Sequence, residues 1–141
     1  MDKTPSNLSR SELMARIRSK DTKPEKVVRR TLFAMGYRFR IHKKNLPGCP
    51  DIVFTSRRKA IFVNGCFWHQ HPHCPKATLP ATNQGYWLPK LANNIERDKR
   101  VIDELVQIGW KTLTIWECET PNVALLKRRL KRFLGAPRWT L

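Results

Sequence analysis

Asp51-Ile52-Val53-Phe54, then Ala60-Ile61-Phe62-Val63 running into Asn64-Gly65-Cys66-Phe67-Trp68-His69-Gln70-His71-Pro72-His73-Cys74, is the stretch around which the chain is organised. The two apolar runs are short and separated by the basic turn Ser56-Arg57-Arg58. That is the pattern of a hairpin in the interior of a sheet. Residues 65–74 follow the second strand directly and hold two thiols, three imidazoles and an adjacent Phe-Trp pair. Thiolates and imidazoles are ligands that zinc prefers, and an imidazole beside such a site is suited to proton transfer. The aromatic pair, in a polar loop, has no apolar periodicity to explain it.

The flanking sequence supplies helices on both sides. Ser9-Arg10-Ser11-Glu12 is a capping box ahead of Leu13, Met14 and Ile17, predicting a short helix. Thr22-Lys23-Pro24-Glu25 is a second capping box, opening a helix with Val28, Thr31, Leu32 and Met35 on its apolar face and Gly36 as its stop. Residues 37–41 read as a strand and Leu46-Pro47-Gly48-Cys49-Pro50 as a rigid loop. After a Pro/Thr-rich connection, 86–108 is helical in pattern with a break expected near Asn93. Residues 110–116 form another strand with Glu117-Cys118 at its exit, and 123–133 a last, strongly basic helix. The pattern predicts a mixed α/β domain.

Charge narrows the partner. The 141 residues carry 28 Lys and Arg against 11 Asp and Glu, a net charge of +17. That footprint fits a polyanion, with nucleic acid as the default. No apolar run approaches the ~20 residues that span a bilayer, and the polar start Met1-Asp2-Lys3-Thr4-Pro5-Ser6 shows no signal peptide. The expectation is one cytoplasmic domain without a membrane role. There disulfides are rare, so the four Cys read as metal ligands or free thiols.

Cys66-x4-His71 with Cys74 beyond it is half a zinc site. A closed structural site needs a fourth ligand, and Cys118, at the exit of another strand, is the natural candidate. His73 competes with His71, which is preferred; Cys49 is left as a free thiol. Such a site is structural, and its closed loop would hold Phe67, Trp68 and His69 in fixed directions. Asp51, starting a strand after a tight loop, is either a Mg²⁺ ligand or a loop cap. Glu25 is already accounted for by the capping box. His69 acts as a general base only if Asp51 lies near it; together the three residues describe metal-assisted phosphodiester hydrolysis.

Pro47-Gly48-x-Pro50-Asp51, the Gly65-Cys66-Phe67-Trp68-His69 loop, Asn94-x-Glu96-Arg97-Asp98, Ile115-Trp116-Glu117-Cys118 and the Asp21-Thr22-x-x-Glu25 helix start closely resemble the very-short-patch-repair (Vsr) mismatch endonucleases, in the same order over nearly the whole chain. The resemblance implies a restriction-endonuclease-like α/β fold in a single domain: a basic helical segment over about 1–20, a core over about 21–134 and a short tail. It implies an enzyme that nicks double-stranded DNA 5′ of the mispaired T in a T·G mismatch left by deamination of 5-methylcytosine. Asp51 would hold Mg²⁺ with the Val63 backbone carbonyl, His69 would be the general base and Glu25 an auxiliary acid. Cys66, His71, Cys74 and Cys118 would hold structural Zn²⁺. Phe67 and Trp68 would wedge into the base stack, with Trp87 as a further aromatic and Met14 opening the stack from the other groove. Asn94 and Arg97 would lie among the DNA contacts. The implied setting is a monomer on nucleoid DNA, working with mismatch-repair proteins and a repair polymerase.

The chain departs from the family pattern at three places. Val63 stands where the pattern has Thr, Asn64 where it has His, and the zinc loop carries one extra residue before its second Cys. Rival readings are a Vsr-like nickase of altered specificity, a non-catalytic zinc-bound DNA-binding module, and a basic RNA-binding protein.

Overall fold

A computed structural model describes residues 21–137. The helix expected around Leu13 and Ile17, and Met14 with it, lies outside the described residues. Helix α1 (Lys23–Ala34) opens on Thr22, whose Oγ1 accepts the Glu25 backbone N–H at 3.3 Å. Pro24 sits in the first turn, where its missing N–H is not needed. Val28 and Leu32 are fully buried on its inner face, and the helix ends at Met35 ahead of Gly36 at φ +98°.

Four strands follow the order β1-β2-β3-β4: Arg40–Ile41, Ile52–Phe54, Lys59–Asn64 and Lys111–Trp116. β1 and β2 are antiparallel, as are β2 and β3, with Ile52 opposite Ile61. β3 and β4 are parallel over their full length, from Lys59 opposite Lys111 to Asn64 opposite Trp116. The expected strand over 37–41 shrinks to its last two residues. The Tyr37 N–H closes helix α1 on the Leu32 carbonyl at 3.0 Å, while the Tyr37 and Phe39 rings turn edge-on to Phe54 in the core.

The basic helix α3 (Val123–Leu134) places Leu126, Leu130 and Leu134 at fourfold spacing in the same core as Val28, Leu32, Ile61 and Ile115. Its charges point outward, so the amphipathic pattern alone accounts for its docking. Arg57 and Lys59, at the β2–β3 turn, donate to carbonyls of Leu134 and Phe133 and cap its C-terminal end.

The parallel β3–β4 pair requires a crossover, and α2 (Gln84–Gln107) provides it. The helix runs unbroken past Asn93, against expectation. Asn94, which in isolation would compete with the helix backbone, donates instead to the Trp68 carbonyl at 3.2 Å. Its inner row is Trp87, Leu91, Asn94, Asp98, Val101 and Leu105, spaced alternately four and three apart. Val101 in that row sets the rigid loop: a Cβ on Gly48, held at φ +71°, would lie 2.3 Å from Val101 Cγ1. Gly48→Ala is therefore expected to cost about 1–3 kcal/mol by overpacking and backbone strain. An unchanged urea midpoint for this variant would show that the loop does not rest on α2.

Candidate functional site

Because β3 and β4 run parallel and in register, both leave the sheet at the same end. β3 feeds the 65–74 loop and β4 feeds the turn Glu117–Glu119. The loop coils on itself: His69 N–H donates to Gly65 O at 3.1 Å and His71 N–H to Cys66 O at 2.9 Å. This coil and the adjoining turn bring Cys66, His71, Cys74 and Cys118 together, with all four ligand atoms within 4.8 Å of one another. His71 Nδ1 lies 3.7 Å from Cys66 Sγ and 3.5 Å from Cys118 Sγ. A tetrahedral Zn²⁺ with bonds of about 2.3 Å to sulfur and 2.0–2.1 Å to nitrogen sets those separations near ~3.6 Å. The donor set and its spacing thus fit zinc.

The surrounding contacts fix these donors. The His71 ring stacks on Trp116, 4.1 Å between centroids and 11° from parallel, and Glu117 accepts the Cys66 N–H at 2.9 Å. Burial pushes the Cys66 thiol up to about 12, while the Lys76 N–H draws the Cys74 thiol below its ordinary value. His73 is exposed and is not in the cluster, so the imidazole the structure brings to the thiols is His71.

Between the first Cys and that His stand Phe67, Trp68 and His69. Asp98 on α2 meets His69 Nδ1 at 2.5 Å, and Asn94, one turn earlier, holds the Trp68 carbonyl. Two α2 residues four apart thus clamp two consecutive loop residues. Phe67, Trp68 and Trp87 form a cluster with centroids 5.5–5.7 Å apart. Trp87 is only 3% exposed and forms its floor, whereas Phe67 and Trp68 are half-buried. Lys90 sits over the Trp68 ring at 5.4 Å, and Tyr86 packs against Trp87. Arg97 lies on the exposed side of the same helix.

An acid pair lies at the same strand, β3. Asp51 Oδ2 accepts the Val63 N–H at 2.7 Å, so Val63 contributes its backbone whatever its side chain. Glu25 is 1% exposed and turns inward: its Oε2 lies 2.9 Å from His42 Nε2 and 3.3 Å from an Arg29 nitrogen. The capping box accordingly explains the Thr22 contact but not the Glu25 carboxylate. Burial raises the Asp51 carboxyl to about 7; the neighbouring negative Glu25 adds to the rise, and the Val63 N–H opposes it. An acid pair of this kind, with Glu25 buried and Asp51 half-buried, attracts a cation or retains a proton.

Asp98, quoted within the Asn94-x-Glu96-Arg97-Asp98 segment, carries no role in the sequence pattern, and neither does His42. Asp98 was visible as a polar residue on the apolar row of α2, four residues after Asn94. His42 gave no local signal, because its partners are 17 and 9 residues away along the chain.

Comparison with known proteins places this geometry in context. A family profile described as DNA mismatch endonuclease Vsr matches residues 1–76. The chain is 48% identical over 125 residues to a Xanthomonas oryzae pv. oryzae protein named Type II nicking enzyme V.XorIIP, covering 89% of this chain and 91% of that one. It is 43% identical over 125 residues to the Type II nicking enzyme V.NmeAIP of Neisseria meningitidis, covering 89% of each. It is 44% identical over 110 residues to the DNA mismatch endonuclease Vsr of Escherichia coli, covering 78% of this chain and 70% of that one.

Two outcomes follow from the site itself. Cys118→Ser should lose bound zinc and lower the melting temperature by ~10 °C, the shift expected for about 3 kcal/mol in a chain of this size; unchanged zinc stoichiometry by atomic absorption would remove Cys118 from the cluster. The second outcome concerns pH. Unfolded Asp titrates near ~3.9, below the folded value of about 7 for Asp51. Between the two the folded state keeps a proton that the unfolded state has released, so stability falls as pH rises through that window. Without added Mg²⁺, the parent should lose melting temperature across it more steeply than Asp51→Asn, and parallel profiles would contradict the assignment.

Proposed function

The chain belongs to the Vsr family of DNA endonucleases, and from that premise we propose that it nicks duplex DNA on the 5′ side of the mispaired T in a T·G mismatch, with Mg²⁺ as the catalytic ion and Zn²⁺ as the structural one. The observation that carries this reading is an acid pair bonded to β3 and a carboxylate-held histidine in the loop that leaves the same strand. Asp51 is bonded to Val63 near the end of β3 and Glu25 is beside it; His69 and Asp98 lie at the loop that follows.

Asp51 and the Val63 backbone carbonyl would hold Mg²⁺, with Glu25 as an auxiliary acid beside them. When bound, that ion polarises the scissile phosphate and stabilises the charge that develops on it. The protein's own part in the chemistry falls to His69. An ionised Asp98 can only accept, so its bond to Nδ1 leaves Nε2 as the basic nitrogen. Nε2 takes the proton of the attacking water, and Asp98 keeps the ring aimed and steadies its positive charge. The Val63 departure from the family pattern removes a hydroxyl while keeping the N–H that Asp51 uses.

Mismatch selection is assigned to Phe67 and Trp68. They stand half-buried on the Trp87 floor, and Asn94 fixes the loop backbone between them and the catalytic histidine. Wedging apolar side chains into a base step costs a few kcal/mol, least where pairing is already poor. A T·G step therefore admits the wedge more readily than C·G. Arg97 and the other exposed cations of α2 would contact phosphate, and Met14 would enter from the opposite groove. The protein acts as a monomeric single domain, since one mismatch has no two-fold symmetry, on chromosomal DNA in the cytoplasm. Its nick would be handed to mismatch-repair proteins and a repair polymerase.

A second reading keeps the chemistry and changes the sequence context. The relatives at 48% and 43% identity carry the name nicking enzyme, which favours a nickase tied to particular flanking bases. Nick mapping on a pool of T·G duplexes with randomised flanks separates the two readings: cutting confined to one flank supports the second.

His69→Ala should slow single-turnover nicking by about 10²–10⁴-fold, and Asp51→Ala should abolish it while zinc content stays at the parent level. Parent-like rates in either variant would overturn the corresponding role.

A further inference from the structure

The acids Glu25 and Asp51 come from different elements, the first turn of α1 and the residue before β2. The buried Glu25 and the half-buried Asp51 carboxyls face each other closely enough to interact, so their separation must be set by the segments that carry them. Arg29 contributes charge, but it is shared: its Nη2 lies 2.9 Å from Asp21 and 3.3 Å from Glu25. His42 bonds to both acid-bearing segments. The His42 N–H donates to the Asp51 carbonyl at 3.2 Å, extending the β1–β2 ladder by one rung beyond Ile41 opposite Ile52. The His42 ring reaches the other way and meets Glu25 Oε2 at 2.9 Å.

The backbone at His42 is strained to make this possible. Its φ is +49°, in the left-handed region that non-Gly residues adopt uncommonly, though His, Asn and Asp do so more often than most. Such a conformation persists only where surrounding contacts over-determine it. Here the main-chain bond to Asp51 and the ring bond to Glu25 do so. An ionised Glu25 can only accept, so the ring presents Nε2–H. His42 meets Oε2 by a hydrogen bond, and the Arg29 guanidinium faces the same oxygen as an ion pair.

We propose that His42 is a positioning residue that sets the separation of Glu25 and Asp51 and thereby the affinity of the acid pair for its divalent cation. This inference rests on the proposed function for the identity of the cation. His42 touches neither the ion nor DNA in this account; it acts through the two acids. The cluster Asp21, Glu25 and His42 also has metal-ligand character, with ligand atoms within 4.8 Å of one another. The Arg29 guanidinium stands between two of its members, so the cluster is an ion-pair brace rather than a second cation site.

Three variants separate ring from backbone. His42→Ala removes the ring. His42→Asn tolerates the left-handed backbone but is too short to reach Glu25. His42→Gln carries an amide N–H near the position of Nε2. Each is titrated with Mg²⁺ in two ways, by calorimetry on the zinc-loaded protein alone and by single-turnover nicking of a T·G duplex. His42→Ala and His42→Asn should raise the Mg²⁺ concentration for half-saturation by about 10-fold or more, the usual effect of losing a partner that orients a ligand. His42→Gln should recover most of it, and all three should retain zinc. Parent-like Mg²⁺ affinity in His42→Asn, which keeps the backbone, overturns the proposal, as does a parent that takes up no Mg²⁺. If the parent binds Mg²⁺ but nicks no T·G duplex, the functional reading fails while the calorimetric comparison still decides the role of His42.

Discussion

The parallel pairing of β3 with β4 is the constraint on which the rest of the structure depends. Parallel strands end at the same edge of the sheet, so the two segments that follow them must share space. One is the Cys/His loop and the other the Glu117–Glu119 turn. Their meeting assembles three thiols and an imidazole at tetrahedral spacing. The crossover helix α2 that parallel pairing demands then lies along the loop, where Asn94 and Asp98 hold Trp68 and His69. Antiparallel pairing of the same strands would send Cys118 to the far end of the sheet from Cys66.

Stability and chemistry pull in opposite directions at this sheet end. The four-donor cluster gains folding energy when a cation closes it. The acid pair bonded to β3 does the reverse, because burial, with Glu25 adding to it, raises the Asp51 carboxyl to about 7. Such a pair weakens the fold as it ionises, a cost that the cation of the proposed function would offset. The rigid parts of the site bracket this costly element. The Val63 N–H, Arg29 and His42 hold the acids from β3, α1 and the end of β1.

Much of this was legible in the chain, and what was not has a common cause. The hairpin around Ser56-Arg57-Arg58, strand β4 and the basic helix α3 follow from local periodicity and fall where the pattern put them. The convergence of Cys66, His71, Cys74 and Cys118 was legible because the donor types are rare and clustered. Failures came where a distant partner overrode local preference. Tyr37 closes a helix instead of extending a strand, and Asn94 is held by Trp68 instead of breaking α2. Glu25 fits a capping box, yet its carboxylate answers to His42, Arg29 and Asp51. His42 and Asp98 owe their positions to contacts 17 and 29 residues away, which no periodicity encodes.

The central claim is that an aromatic wedge and a Mg²⁺-dependent acid–histidine site act together at one mispair. Its most direct test is a strand-resolved assay on two duplexes that differ only in carrying T·G or C·G at one position, each with and without Mg²⁺. The account predicts a single nick 5′ of the mispaired T, only with Mg²⁺ and only in the T·G duplex. Equal cutting of both duplexes, or a nick that persists without a divalent ion, would contradict it.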